Sequence, residues 1–222
     1  MNISSTEENY LKAIYKLTKK TNENEFVTTN NIANDMHTKA ASVTDMLKRL
    51  SEKKLVTYQR YKGVKLTAKG QSIATQLIRK HRLWEVFLLE KLQFKWDEIH
   101  VIAEQLEHIE SDELTNRLEA YLDYPKYDPH GDPIPDINGY ITNRNYVHLA
   151  DLQENEEGVI VGVKEHSPEF LRYLESHQLI LGAVIKVLKC NEYDKSVEIE
   201  INKKLNISIS NKVSYNLYVQ KK

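Results

Sequence analysis

Four of the five prolines of this chain, Pro125, Pro129, Pro133 and Pro135, fall within residues 125–135, and they divide what the rest can become. Each lacks a backbone donor and restrains the residue before it, so Tyr124 to Pro135 cannot form a regular helix or strand. Ahead of this stretch apolar residues recur at helical spacing. Beyond about Tyr146 they come in short β-rich runs. The proline segment is expected to end the helical half and pack as an ordered connector. A length of 222 residues allows one large domain or two smaller ones, and 41% hydrophobic residues suffice for a core.

In the first half, Tyr10, Leu11, Ile14, Tyr15 and Leu17 predict a helix over 6–20, with Ser4, Ser5 or Thr6 as its cap. Thr28 or Thr29 caps a short helix through Ile32 and Ala33 to about Met36. After the turn His37-Thr38-Lys39, a third helix runs from about Ala40 to Lys53, burying Val43, Met46, Leu47 and Leu50. Leu55–Tyr58 and Val64–Thr67 read as two strands around a basic turn, and helices follow over about 68–92, 96–108 and 112–122. In the second half strands are expected over 158–163, 183–188, 197–201, 205–209 and 213–219. Ser167 caps a helix with Pro168 at its first position, running to about Ser176. Five strands and one small helix predict a small barrel of SH3-like size.

The net charge of −1 hides an asymmetry. Thr38 to Arg82 carries 12 Lys/Arg against 2 Asp/Glu, and Leu83 to Tyr124 carries 3 against 11. A basic block before an acidic one suits polyanion binding followed by cation binding, although two solvated helix faces of opposite sign read the same on charge alone. The single cysteine, Cys190, excludes an internal disulfide framework. The N-terminus lacks a secretion pattern, and no stretch approaches the about 18 apolar residues of a membrane helix, so a cytoplasmic protein with no membrane partner is expected.

Helix, helix, turn, helix and a two-stranded wing make the winged helix-turn-helix layout, in which the third helix enters the major groove. Thr38, Lys39, Ser42, Thr44, Asp45 and Lys48 lie at the start or on the polar side of that helix. Arg60, Lys62 and Lys65 sit on the wing, where positive charge neutralises phosphates. An ordinary helical domain with a basic surface is the alternative.

The run from His100 to His108 spaces His100, Glu104, Glu107 and His108 by four, three and one residues, placing them on one side of a helix. One helix earlier, His81 and Glu85 lie one turn apart. Mixed imidazole and carboxylate ligands without thiolate suit manganese, iron, nickel, cobalt or zinc. Each of these residues alone would equally suit a solvated helix face.

Several segments, in this order, resemble the diphtheria toxin repressor family of iron- and manganese-dependent transcriptional regulators. They are Thr6–Tyr15, Ala41-Ser42-Val43-Thr44, Leu66–Gly70, Arg79–Leu83, Glu107–Glu113 and His130–Pro135. The resemblance covers nearly the whole chain. It implies a mainly α protein with a small β domain: a winged-helix DNA-binding domain (1–70), a helical metal-binding and dimerisation domain (71–140) and an SH3-like domain (146–222). It also implies one metal site from His81, Glu85 and His100, joined by His166 and Glu169 of the last domain. A second would use Glu104, Glu107, His108 and a first-helix residue, here Asn9. Glutamate at 104, where iron-type members carry cysteine, points to Mn²⁺ ahead of Fe²⁺, with Zn²⁺, Co²⁺ or Ni²⁺ as substitutes in vitro. Compact manganese members have a glutamate where this chain has Lys12, and an ammonium cannot ligate.

The expected function is a homodimeric, metal-dependent repressor that binds inverted-repeat operator DNA of metal-uptake genes and takes no small-molecule substrate. Metal is expected to tie the first helix, through Asn9, to Glu104, Glu107 and His108, fixing the spacing of two reading heads. The competing reading is a metalloenzyme using the His/Glu cluster, though no paired ExxH, HExxH or nucleophile motif supports it. A third makes the C-terminal barrel a protein-docking module.

Overall fold

A computed structural model describes residues 3–20, 26–142 and 144–222. Their contacts group into two units. The first comprises the described residues up to His81 with Leu106–Glu110 and Pro135–Ile141. The second comprises Arg82–Gln105, Ser111–Ile134 and the described residues from Thr142 onward.

Helix α1 (Ser5–Lys20) opens on a capping box. The Glu7 N–H donates to Ser4 Oγ at 3.3 Å, and the Ser4 N–H donates back to the Glu7 carboxylate at 2.9 Å. Of the three residues offered as caps, Ser4 is therefore the one used. Thr28 caps α2 (Thr29–Asp35) by accepting from the Asn31 N–H at 3.2 Å. The turn into α3 (Ala40–Glu52) passes through His37 at φ 49°. Leu11, Ile14, Ile32, Val43, Leu47 and Leu50 share one core, as their spacing predicts.

Strands β1 (Val56–Gln59) and β2 (Gly63–Leu66) pair antiparallel to form the wing. Val27 adds a bridge to Val64. Gly63 makes that approach feasible: at φ +123°, a Cβ there would stand 2.3 Å from the Val27 carbonyl oxygen.

The long helix α4 (Ala68–Glu90) belongs to both units. Its Ala74 and Ile78 join the first core, while its Leu83 and Val86 join a second core with Leu118, Leu122 and Ile134. Helices α5 (Ile99–Leu106) and α6 (Asp112–Tyr121) follow. Helix α5 is shorter than the expected 96–108. Trp96, Asp97 and Glu98 form a turn, and the Ile109 N–H returns to the Leu106 carbonyl at 3.2 Å, leaving Glu107 and His108 in a turn beyond the helix.

The proline connector is ordered by its own polar groups. Asp128 Oδ1 accepts from the N–H groups of His130 (2.8 Å) and Asp132 (3.0 Å), an Asx-type turn. Gly131, at φ +87°, lets the chain pass the next strand, since a Cβ there would lie 2.1 Å from the Val161 carbonyl oxygen.

The C-terminal part is an antiparallel SH3-like sheet built from β3 (Val147–His148), β4 (Glu157–Val163), β5 (Val184–Cys190), β6 (Val197–Ile201), β7 (Leu205–Ile209) and β8 (Leu217–Lys221). Their spatial order is β3-β8-β4-β5-β6-β7, with irregularities in β4 and β5 that bend the sheet. Helix α7 (Pro168–Ser176) begins with Pro168 in its first turn, as expected. The expected strand over 213–219 is corrected. Ser210 caps a short helix α8 (Asn211–Tyr215) by accepting from the Val213 N–H at 3.4 Å, and only then does β8 begin.

Candidate metal centre and nucleic-acid interface

Thr38, Lys39, Ser42, Asp45 and Lys48 are exposed on the start and outer face of α3, opposite buried Val43, Leu47 and Leu50. Thr44 is half-buried and turns its hydroxyl back to the Ala40 carbonyl at 2.9 Å, so it is less available to a partner. Lys48 pairs with Asp45 at 3.4 Å in full solvent. The N-terminus of α3 also presents backbone N–H groups without a side-chain cap, a surface suited to phosphate.

At the wing tip Arg60 lies over the ring of Tyr61, 4.8 Å from its centroid, and Tyr61 is 93% exposed. Lys62 and Lys65 both lie over the Phe26 ring, at 4.7 and 4.8 Å. These cation–π contacts pack each of the three wing cations against an aromatic ring. Tyr61 and Phe26 escaped the sequence reading, which weighed charge and not the rings beneath it.

In the second unit α4, α5 and the connector bring acids and imidazoles together. Glu85, Asp128 and His130 are buried, and each offers a ligand atom within 4.8 Å of the others. Glu85 is shared. Its Oε1 lies 3.2 Å from His100 Nδ1 on α5, and its Oε2 lies 3.6 Å from His130 Nδ1 on the connector. His100 also reaches Glu104, one turn on, at 3.5 Å. The His130 ring lies between two others, stacked on Trp96 at 5.9 Å and on His166 at 4.6 Å. Arg82 spans the acidic side, 3.3 Å from Asp128 and 3.1 Å from Asp132, and donates to the Pro133 carbonyl.

The electrostatics are those of a cation site. The Glu104 and Glu85 carboxylates push His100 up to about 9. Burial works against a charge on His130, but Glu85, Asp128 and Asp132 outweigh it and raise its pKa. Burial, then repulsion from Glu85 and Asp132, lifts Asp128 to about 7. Burial and the neighbouring His130 push His166 down to about 4, so its imidazole is neutral at pH 7. His130 Nε2 is buried with no hydrogen-bond partner among the described residues. Orphaned nitrogen, crowded carboxylates and neutral imidazole fit a divalent transition metal.

In the first unit a separate cluster joins α1 to the turn after α5. Lys12 Nζ lies 2.8 and 2.6 Å from the two carboxylate oxygens of fully buried Glu107. His81 Nδ1 lies 2.6 Å from Glu107 Oε2, and His108 Nδ1 lies 2.6 Å from Glu8 Oε2. Burial raises the Glu107 carboxyl, yet His81 and Lys12 together hold it below its usual value.

The expected ligands thus part company. Glu85, His100 and Glu104 are together, and His81 precedes Glu85 by one turn of α4. His166 reaches the centre by its stack on His130. Glu169 does not: it is exposed and pairs with Arg172 at 3.4 Å. Its place on the outer side of α7 follows from Phe170, Leu171 and Leu174 turning inward. Asn9 is exposed, and the α1 residues that meet Glu107 and His108 are Lys12 and Glu8. Asp128 and His130 join this candidate cluster although the spacing of the sequence did not mark them. The signal was the alternation Asp128-Pro129-His130-Gly131-Asp132 in a segment barred from regular structure.

Three family models match in succession. Residues 2–64 match the iron dependent repressor, N-terminal DNA binding domain. Residues 67–136 match the iron dependent repressor, metal binding and dimerisation domain, and residues 147–221 match the FeoA domain. A "Probable metal transport system membrane protein" of Chlamydia trachomatis is 47% identical over 70 residues, 32% of this chain and 16% of that longer one. The iron-dependent repressor IdeR of Mycobacterium leprae is 32% identical over 165 residues, 70% of each chain. A solved manganese-dependent transcriptional repressor in complex with manganese superposes with a TM-score of 0.83 at 29% identity, covering 97% of this chain and all of the other. Among the described residues no helix is long and apolar enough to cross a membrane. The matches carry the regulator reading and not the metalloenzyme alternative: the chain belongs to the iron-dependent repressor family, as a metal-dependent, DNA-binding transcriptional repressor.

Proposed function

We propose that this repressor is a cytoplasmic homodimer that takes manganese as its corepressor, with iron second, and binds inverted-repeat operators of metal-uptake genes. The observation that carries the metal assignment is the buried convergence of Glu85, Asp128 and His130 within 4.8 Å. Glu85, His100, Asp128 and His130 would hold the ion, with His81 one turn before Glu85 and His166 on the His130 ring. Carboxylate oxygens and imidazoles favour a hard divalent ion such as Mn²⁺, and Zn²⁺, Co²⁺ or Ni²⁺ would fill the same donors in vitro. Cys190, the single thiol, lies on β5 with its sulfur 3.8 Å from the Leu152 carbonyl oxygen. The kinship with a manganese-dependent repressor supports the same choice.

A bound ion supplies the positive charge that neutralises this carboxylate cluster. Glu85 places that event on α4, whose earlier residues Ala74 and Ile78 are built into the winged-helix core. Helix α4 is thus the element that reports ligand engagement to the DNA-reading half. Metal promotes DNA binding only as far as it favours that arrangement. The proposed domains are a DNA-binding domain over 1–70, a metal and dimerisation domain over 71–140 and an SH3-like domain over 146–222, a division in keeping with family matches over 2–64, 67–136 and 147–221.

The test is an electrophoretic shift assay on inverted-repeat DNA with Mn²⁺, with Fe²⁺ under anaerobic conditions, and after chelation. Binding should appear with metal, be tighter with Mn²⁺ at matched saturation, and vanish on chelation. Equal affinity with and without metal defeats the proposal.

A further inference from the structure

The α1 cluster contains a cation of its own. Both oxygens of Glu107 are engaged: Oε1 by Lys12 at 2.8 Å, and Oε2 by Lys12 at 2.6 Å and by His81 Nδ1 at 2.6 Å. Lys12 and Glu107 are buried, with side-chain exposures of 7% and 0%, so solvent does not screen the pair. His108 is likewise committed to Glu8, while Asn9 faces solvent. The geometry at His81 is that of a supported metal ligand. A ligating imidazole commonly gives its second ring nitrogen to a carboxylate, which fixes its tautomer and orientation. Here Nδ1 meets Glu107, so ligation runs through Nε2.

We infer that Glu107, pinned by the Lys12 ammonium, orients the metal ligand His81 and does not itself bind metal. Lys12 thereby fills the role of a second cation beside Glu107 and His81. This rests on the proposed centre that includes His81 and Glu85. It replaces the expected tie through Asn9, Glu104, Glu107 and His108 with a metal-free one: Lys12 to Glu107 and Glu8 to His108. Lys12 and Glu107 act as positioning residues.

Mn²⁺ binding to the full chain, read by equilibrium dialysis with electron paramagnetic resonance of free Mn²⁺, separates these roles. Glu107→Gln keeps the size of the side chain and its contact with Lys12. It is expected to leave the number of ions per subunit unchanged and to weaken binding roughly tenfold to a hundredfold. Loss of one ion per subunit shows that Glu107 is a ligand and overturns the inference, as does an unchanged affinity. Lys12→Met strips Glu107 of its cation and is expected to gain one Mn²⁺ per subunit, whereas Lys12→Arg keeps the wild-type number. Should Lys12→Met not fold, the Glu107→Gln result still decides. Asp128→Asn in the same dialysis tests the proposed centre separately. Unimpaired binding there refutes the centre, while the ion count for Glu107→Gln still reports whether Glu107 ligates.

Discussion

The rings of His130 and His166 stack with centroids 4.6 Å apart and planes 20° from parallel, joining the proline connector to the loop that precedes α7. His130 is almost wholly buried and His166 half-buried. If His166 lends its nitrogen to the metal, His166→Phe keeps a ring against His130 but removes the donor. Manganese affinity should fall about tenfold or more in isothermal titration, with the thermal transition of the metal-free protein retained. Intact affinity would assign His166 a packing role only.

Gly131 connects backbone conformation to the same centre. At φ +87° and with a Cβ position 2.1 Å from the Val161 carbonyl oxygen, Gly131→Ala must shift the connector. A cost of about 1–3 kcal/mol is expected from the backbone strain. Because Asp128 and His130 ride on that turn, the variant should also lose manganese affinity, measured by titration beside thermal unfolding. Stability lost with affinity preserved would separate the turn from the site.

The wing makes a salt-dependent prediction. Lys62, held over Phe26 at 4.7 Å, is expected to contact phosphate. Lys62→Ala should weaken binding similarly for all DNA sequences and reduce the slope of log affinity against log salt by about 1. Ser42→Ala on α3 should instead alter discrimination among operator variants. Fluorescence anisotropy across a salt series distinguishes the two.

Glu7 gives a pH signature of folding within the winged-helix unit. Burial alone would raise its carboxyl, but the Lys53 ammonium and the Ser4 N–H outweigh burial and hold it below 4.5. Its stabilisation is therefore fully present above the unfolded-state pKa and is lost as pH falls through the lower folded-state value. Glu7→Gln should cost about 1 kcal/mol at pH 7, through the lost ion pair and capping box. That deficit should shrink in urea titrations taken below pH 4.5. A deficit independent of pH would contradict the charge-based account.

What the chain could declare unaided was whatever depends on neighbours in sequence. Helical spacing of Leu11, Ile14, Leu47 and Leu50 marked the winged-helix core, Pro168 after Ser167 marked the start of α7, and four prolines marked the connector. These follow from backbone sterics, caps and side-chain periodicity, which act over a few residues. The His and Glu of α4 and α5 were likewise legible as candidate ligands. Folding alone settled which acid meets which imidazole. Lys12 and Glu107 are 95 residues apart, Glu8 and His108 are 100 apart, and both pairs form because α1 packs where α5 ends. The series from His100 to His108 split once α5 stopped at Leu106, and Asp128 and His130 came within 4.8 Å of Glu85 from a segment that helical spacing could not reach. Burial makes such pairings decisive, since a charge removed from water must find its partner wherever in the chain that partner lies.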